Sequence, residues 1–201
     1  MKKVVLIIIC CLSVLLITAG CDKEINNKTI NTYLQNKYNK EFVYVSEGND
    51  VWSSTTSTKI YSDQNKKQFK IKINGDYFSD NYYSVIYDED ISKYYQKQLN
   101  SNYKVFVSSE SNFTNNSKKY NGANEYLDDI EILNMAIYTT DNIVEEIESK
   151  LNLLTINNNY VSGVIYIVSN DSFINITSHA NSVDIINSKS FSFTNGVLDK
   201  E

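Results

Sequence analysis

The chain has 201 residues, a formal net charge of −5, 42% hydrophobic and 12% aromatic residues, no Pro and 6 Gly. That balance suits a folded domain with a core of its own and excludes a disordered stalk, a collagen-like repeat or a Pro-rich spacer. All 19 basic residues are Lys, and past the N-terminus they pair only as Lys66–Lys67 and Lys118–Lys119, which read as solvated turns and give nucleic acid no phosphate-binding track.

Lys2 and Lys3 precede an apolar run from Val4 to Ile17, and Thr18, Ala19, Gly20 and Cys21 follow it. A charged start, a short apolar stretch and small residues before a cut form the secretory pattern. The run is shorter than the roughly twenty residues that a spanning helix needs. This stretch resembles a bacterial lipoprotein signal. Ala19, Gly20 and Cys21 match the lipobox, whose family form is Leu, a small residue, Gly or Ala, then Cys; Thr18 stands where Leu is usual. The resemblance implies cleavage before Cys21, diacylglycerol with its palmitate-type chains on the Cys21 thiol, and residence on the outer face of the cytoplasmic membrane. Two acyl chains hold a protein stably, so the domain needs no membrane-binding face of its own. Loss of Lys2 and Lys3 leaves 17 Lys against 24 acids, a mature charge of about −7. Such a domain is repelled by anionic headgroups. Cys10 and Cys11 leave with the signal and Cys21 is taken by lipid. The mature chain then has no disulfide, no thiol nucleophile and no Cys-based zinc site.

Residues 1–20 read as the signal, 21–28 as a lipidated tether and 29–201 as a single α+β domain. Ile30, Leu34 and Tyr38 recur at four-residue spacing and predict a helix from Thr29 to about Asn39. Phe42–Glu47 alternates and reads as a strand. Gly48–Thr58 is a Ser/Thr-rich loop holding Trp52, the only Trp; its second half fits an edge strand. Lys59–Ser62 and Gln68–Ile73 flank a hairpin turn. Phe69, Ile71 and Ile73 alternate with Lys70 and Lys72, one face buried and one wet. Asn74–Gly75 is a turn signal. Asp80–Leu99 reads as a helix whose stripe is Tyr83, Tyr87, Ile91 and Tyr94. Tyr103–Ser109 alternates as a strand. Glu110–Leu127 reads as a long polar loop, a length that usually marks function. Asp128–Tyr138 reads as a strand. A helix follows with Ile143, Ile147, Leu151 and Leu154 on its stripe, and then a buried strand, Val161–Val168. Strand, helix and strand between 128 and 168 fit a crossover. Phe173–Thr177 and Ser190–Thr194 alternate as closing strands. The pattern as a whole is a mostly antiparallel sheet with about three helices packed on it.

Catalytic chemistry finds little footing. His179 is the single His and sits in the polar turn SHANS. The acids Asp88–Glu89–Asp90, and Asp128, Asp129 and Glu131, read as solvated faces, and nothing selects a glycosidase pair among them. No phosphate loop, dinucleotide loop or calcium loop occurs, so no cofactor and no metal are expected. Two features suit a partner. Tyr83, Tyr87 and Tyr94, with Tyr82 and Tyr95 beside them, join an apolar body to a polar tip, although core packing explains the same spacing. Trp52 is a loop aromatic that serves either as an anchor or as a plug for the core. The expectation is a membrane-anchored, non-enzymatic binding or accessory lipoprotein with an exported protein or peptide partner. The alternative is an immunity-type lipoprotein that intercepts a toxic peptide, with a cell-envelope hydrolase behind it.

Overall fold

The computed structural model describes residues 27–48, 56–99, 102–140, 146, 149–150, 160–177, 183–194 and 197–198. The chain divides into two compact units, residues 1–40 and 41–201. In the first unit, α1 (Asn27–Tyr38) is the expected first helix, with Ile30, Tyr33, Leu34 and Lys37 buried. Lys37 Nζ lies 3.4 Å from the Tyr33 hydroxyl and 5.1 Å from the Tyr38 ring centre. Asn39 ends the helix at φ 53°, and its N–H donates to the Gln35 carbonyl at 2.8 Å.

The second unit opens with β1 (Val43–Glu47), β2 (Ser57–Ser62), β3 (Gln68–Asn74) and β4 (Tyr77–Asp80). They pair in chain order as an antiparallel meander. Phe69, Ile71 and Ile73 are buried while Lys70 and Lys72 are exposed, as their alternation predicts. Asp63 sets the β2–β3 turn, its Oδ1 accepting the N–H groups of Asn65 and Lys67, each at 2.9 Å. Gly75 takes φ +58° in the β3–β4 turn, a conformation that favours glycine. The helix expected from Asp80 begins two residues later, after β4. Asp80 is still strand, bridged to Thr114. Its Oδ1 accepts the Tyr82 N–H at 3.0 Å and turns the chain into α2 (Tyr82–Leu99).

A second sheet holds β5 (Tyr103–Ser108), β6 (Ile132–Thr139), β7 (Tyr160–Val168), β8 (Ile185–Thr194) and β9 (Val197–Leu198), side by side in that order. β6 and β7 pair in parallel, as the crossover requires, and the other neighbours are antiparallel. The helix expected between them, with Ile143, Ile147, Leu151 and Leu154, lies outside the described residues apart from 146, 149 and 150. The fold is α+β, with two sheets rather than one.

Two short helices stand where loop or strand was expected. α3 (Ala123–Asp129) occupies the end of the expected loop and the start of the strand expected from Asp128, so β6 begins at Ile132. Glu125 in its first turn accepts the Asn121 N–H at 2.8 Å, and Tyr126 supplies the buried contact. α4 (Asn170–Asn175) stands where Phe173–Thr177 was expected as a strand. Ser169 caps it by accepting the Ser172 N–H at 3.3 Å. Lys104 Nζ donates to the Ile174 and Ile176 carbonyls at 3.1 and 2.8 Å at its end. Phe173 and Ile176 then pack with Ala136, Tyr138 and Val168. The contact with the sheet overrides a short alternating pattern.

Candidate functional site

α2 organises this half of the molecule, and its neighbours explain which side chains remain for function. Asp88, Ser92 and Gln96 lie four residues apart, a rise of about 6 Å per step. Alternate strand residues are about 6.6–6.8 Å apart. The two repeats nearly match, so the three side chains accept the N–H groups of Ser109, Val107 and Val105 at 3.0, 2.9 and 3.5 Å. The outer edge of β5 is satisfied by a helix rather than by another strand. Asp88 also takes the Ser109 hydroxyl at 2.5 Å, and Ser109 Oγ lies 2.9 Å from the Tyr126 hydroxyl. Burial pushes the Asp88 carboxyl up to about 6, with the two Ser109 bonds pulling it down. Ser109 and Tyr126 are each 0% exposed, so this Ser–Asp contact closes the core and offers no accessible nucleophile.

The second face of α2 meets the chain after β5. Tyr83 is buried, stacks on Tyr87 with ring centres 5.8 Å apart, and meets Tyr120 edge-on at 4.7 Å. Its hydroxyl accepts the Tyr120 N–H at 3.2 Å, while the half-buried Tyr87 donates its hydroxyl to the Tyr120 carbonyl at 3.1 Å. Both side chains therefore brace the stretch before α3. Tyr94 lies on the exposed side, edge-on to the buried Tyr95.

The open surface is the outer face of the meander. The pairs Ile60–Lys70 and Thr58–Lys72 share that face, opposite Phe69 and Ile71. The segment after Ser109 runs beside β4. Asn81 Nδ2 donates to the Glu110 carbonyl at 2.9 Å, and Asp80 and Thr114 exchange backbone bonds at 2.9 and 2.8 Å. This lays Phe113 against Lys72, whose Nζ is 3.8 Å from the ring centre. Between them lies a hollow of about 460 Å³, walled by Thr58, Ile60, Lys70, Lys72, Glu110 and Phe113, with Gly48 and Ser111 at its rim. A second hollow of about 380 Å³ shares Lys72, Ser111 and Phe113 and runs on to Tyr120 and Asp129. There Lys118 Nζ contacts the two Asp129 oxygens at 2.8 and 2.7 Å, and the Tyr120 hydroxyl donates to the same carboxylate. The bonds from Lys118 and Tyr120 hold the Asp129 carboxyl below its ordinary range. Asn112 fixes the wall: its Nδ2 reaches the Ile132 carbonyl at 2.6 Å, and its Oδ1 accepts the Glu131 and Ile132 N–H groups at 2.9 and 3.1 Å.

The first hollow thus presents two ammonium groups, the Ile60 side chain, the Phe113 ring and the Glu110 carboxylate, and the second adds Lys118, Asp129 and Glu131. Such a lining can meet a ligand by charge and shape. Among the described residues no group of three His, Cys, Asp or Glu side chains is placed to hold a metal ion. Of the residues singled out in the sequence, Tyr83 and Tyr87 meet at Tyr120 and Tyr94 stands apart. Cys21, Trp52 and His179 lie outside the described residues. Glu110, Ser111 and Phe113 of the expected loop line the hollow, and so do Gly48 and Thr58, at the two ends of the Trp52 stretch. Lys70, Lys72 and Phe113 line the hollow without having been singled out in the sequence. Alternation marks the two lysines as a wet face, but nothing in the sequence says that Phe113 crosses it.

No family model and no curated protein matches the chain. A crystal structure of a DUF5037 family protein from Ruminococcus gnavus ATCC 29149 is similar at 12% identity and a TM-score of 0.43, over 87% of this chain and 94% of that chain.

Proposed function

We propose that this protein is a lipid-anchored binding protein on the outer face of the cytoplasmic membrane, which holds an exported protein or peptide in the groove beside Lys70, Lys72 and Phe113. The observation that carries the address is Cys21, placed after Ala19 and Gly20 at the end of a short apolar run with a charged start. The groove supports the binding half. Its wall is braced from behind by Asn112 and from α2 by Tyr83 and Tyr87, and a surface held ready loses less entropy on capture. The role is capture rather than turnover.

The test is metabolic labelling of cells with a palmitate analogue, followed by a carbonate wash of their membranes. Wild-type protein is expected to take the label and stay with the membrane, and Cys21→Ala to lose the label and the wash-resistant fraction. A Cys21→Ala protein that keeps either one contradicts the anchor.

A further inference from the structure

We propose that the groove takes an acidic peptide in extended conformation, its carboxylates on Lys70 and Lys72. This rests on reading the protein as a binding protein and adds the chemical class of its ligand.

Charge segregation is the first support. The chain carries a net charge of −5, yet the β2–β3 hairpin, residues 57–74, holds five lysines and one acid, Asp63, for a net charge of +4. Two of the five are engaged elsewhere: Lys59 pairs with Glu47 at 3.3 Å, and Lys67 reaches the Val85 carbonyl at 3.4 Å. Lys70 and Lys72 are the two that line the groove. A positive patch on a negative molecule draws in a negative partner and turns away others.

Geometry is the second. Lys70 and Lys72 are alternate residues of one strand, so their stems stand about 6.6–6.8 Å apart on one face. An extended peptide repeats its side chains on one face at the same spacing, so carboxylates two residues apart meet both lysines at once. The first hollow is concave, which fits a chain better than a flat bilayer. Lys72 is already held against Phe113, and that ring with Ile60 offers an apolar contact to a neighbouring side chain. Glu110 also lines the hollow, and its charge opposes a carboxylate there.

The probe is a fluorescent peptide alternating Glu and Thr, titrated by anisotropy into full-length protein in neutral detergent micelles. Saturable binding that weakens with added salt is expected. K70Q/K72Q should weaken it about tenfold or more, E110Q should tighten it about threefold, and Lys97→Gln on α2 should leave it unchanged. The matching peptide with Gln for Glu should not bind. Both lysines are exposed, so an unchanged thermal melt of K70Q/K72Q shows that the fold survives. Equal binding by K70Q/K72Q, or equal binding of the Gln peptide, overturns the proposal. So does displacement of the peptide by phosphatidylglycerol added to the micelles, which would make the lysine pair a headgroup site. None of these readouts depends on the lipid at Cys21, so a failed titration beside normal palmitate labelling removes the ligand class and leaves the anchor standing.

Discussion

Asp88 lies in the run Asp88–Glu89–Asp90, where three acids look alike, but the fold treats them differently. Glu89 and Asp90 reach out to the exposed Lys93 at 2.7 and 3.8 Å. Such surface pairs contribute little. Asp88 turns inward to Ser109, and burial raises its pKa to about 6, above the unfolded value of about 3.9. The native state therefore binds this proton more readily than the unfolded chain does. Its contribution to stability is complete below about pH 4 and is lost as the pH rises through about 6. Asp88→Asn keeps an acceptor for the Ser109 N–H and removes the buried charge. Urea melts between pH 4 and 7 should show wild type losing stability relative to Asp88→Asn by roughly 2–3 kcal/mol across that window. Parallel profiles for the two proteins would contradict the burial. At the next position in the network, Tyr126→Phe leaves Ser109 Oγ without one partner and should cost about 1 kcal/mol in the same melts.

Elements carry a different lesson, because α2 is legible as a helix and misleading as a stripe. At about 100° per residue, Tyr83, Tyr87, Ile91 and Tyr94 fall on one arc, and the apolar pattern selects them. The helix in fact serves two neighbours. Tyr83 and Tyr87 meet Tyr120 and Tyr126, whereas Ile91, Tyr95 and Leu99 are buried on the side where Asp88, Ser92 and Gln96 bond to the edge of β5. Polar residues on that second side hide it from a hydrophobicity pattern. Tyr87→Ala should therefore lower stability by about 2–4 kcal/mol, and Tyr94→Ala by less than about 1 kcal/mol. Chemical denaturation separates the two, and equal losses would mean that Tyr94 is core. The strands were more legible where alternation ran long, as in β3. They were less so where it ran short: the F-I-N-I-T pattern after Asp171 became α4 once Lys104 and Tyr138 supplied contacts that the local sequence does not contain. In β7, Gly163 is fixed by its neighbours, since a Cβ there would stand 2.2 Å from the Met135 carbonyl oxygen and 2.7 Å from the Phe191 ring. β6 and Phe191 press on it from both sides, so Gly163→Ala should cost several kcal/mol, about 3 or more, or prevent folding. A melt within about 0.5 kcal/mol of wild type would contradict that packing.

For the molecule as a whole, the proposed address and the groove are separate claims joined by one chain. The groove was half legible. The sequence marks Lys70 and Lys72 as a wet face and Glu110–Leu127 as a stretch long enough for function, but only the tertiary bonds of Asn81, Asp80 and Asn112 bring the two together. The address rests on the N-terminal residues alone. Among the described residues no helix is long and apolar enough to cross a membrane. Under the proposed function, the two acyl chains on Cys21 hold the protein to the bilayer. The most direct measurement is the mass of the N-terminal peptide of protein extracted from membranes. A chain that begins at Cys21 is expected, with the mass of a diacylglyceryl group on its thiol and residues 1–20 gone. An N-terminal peptide that still contains the Val4–Ile17 run, or one that begins at an unmodified Cys21, would contradict it.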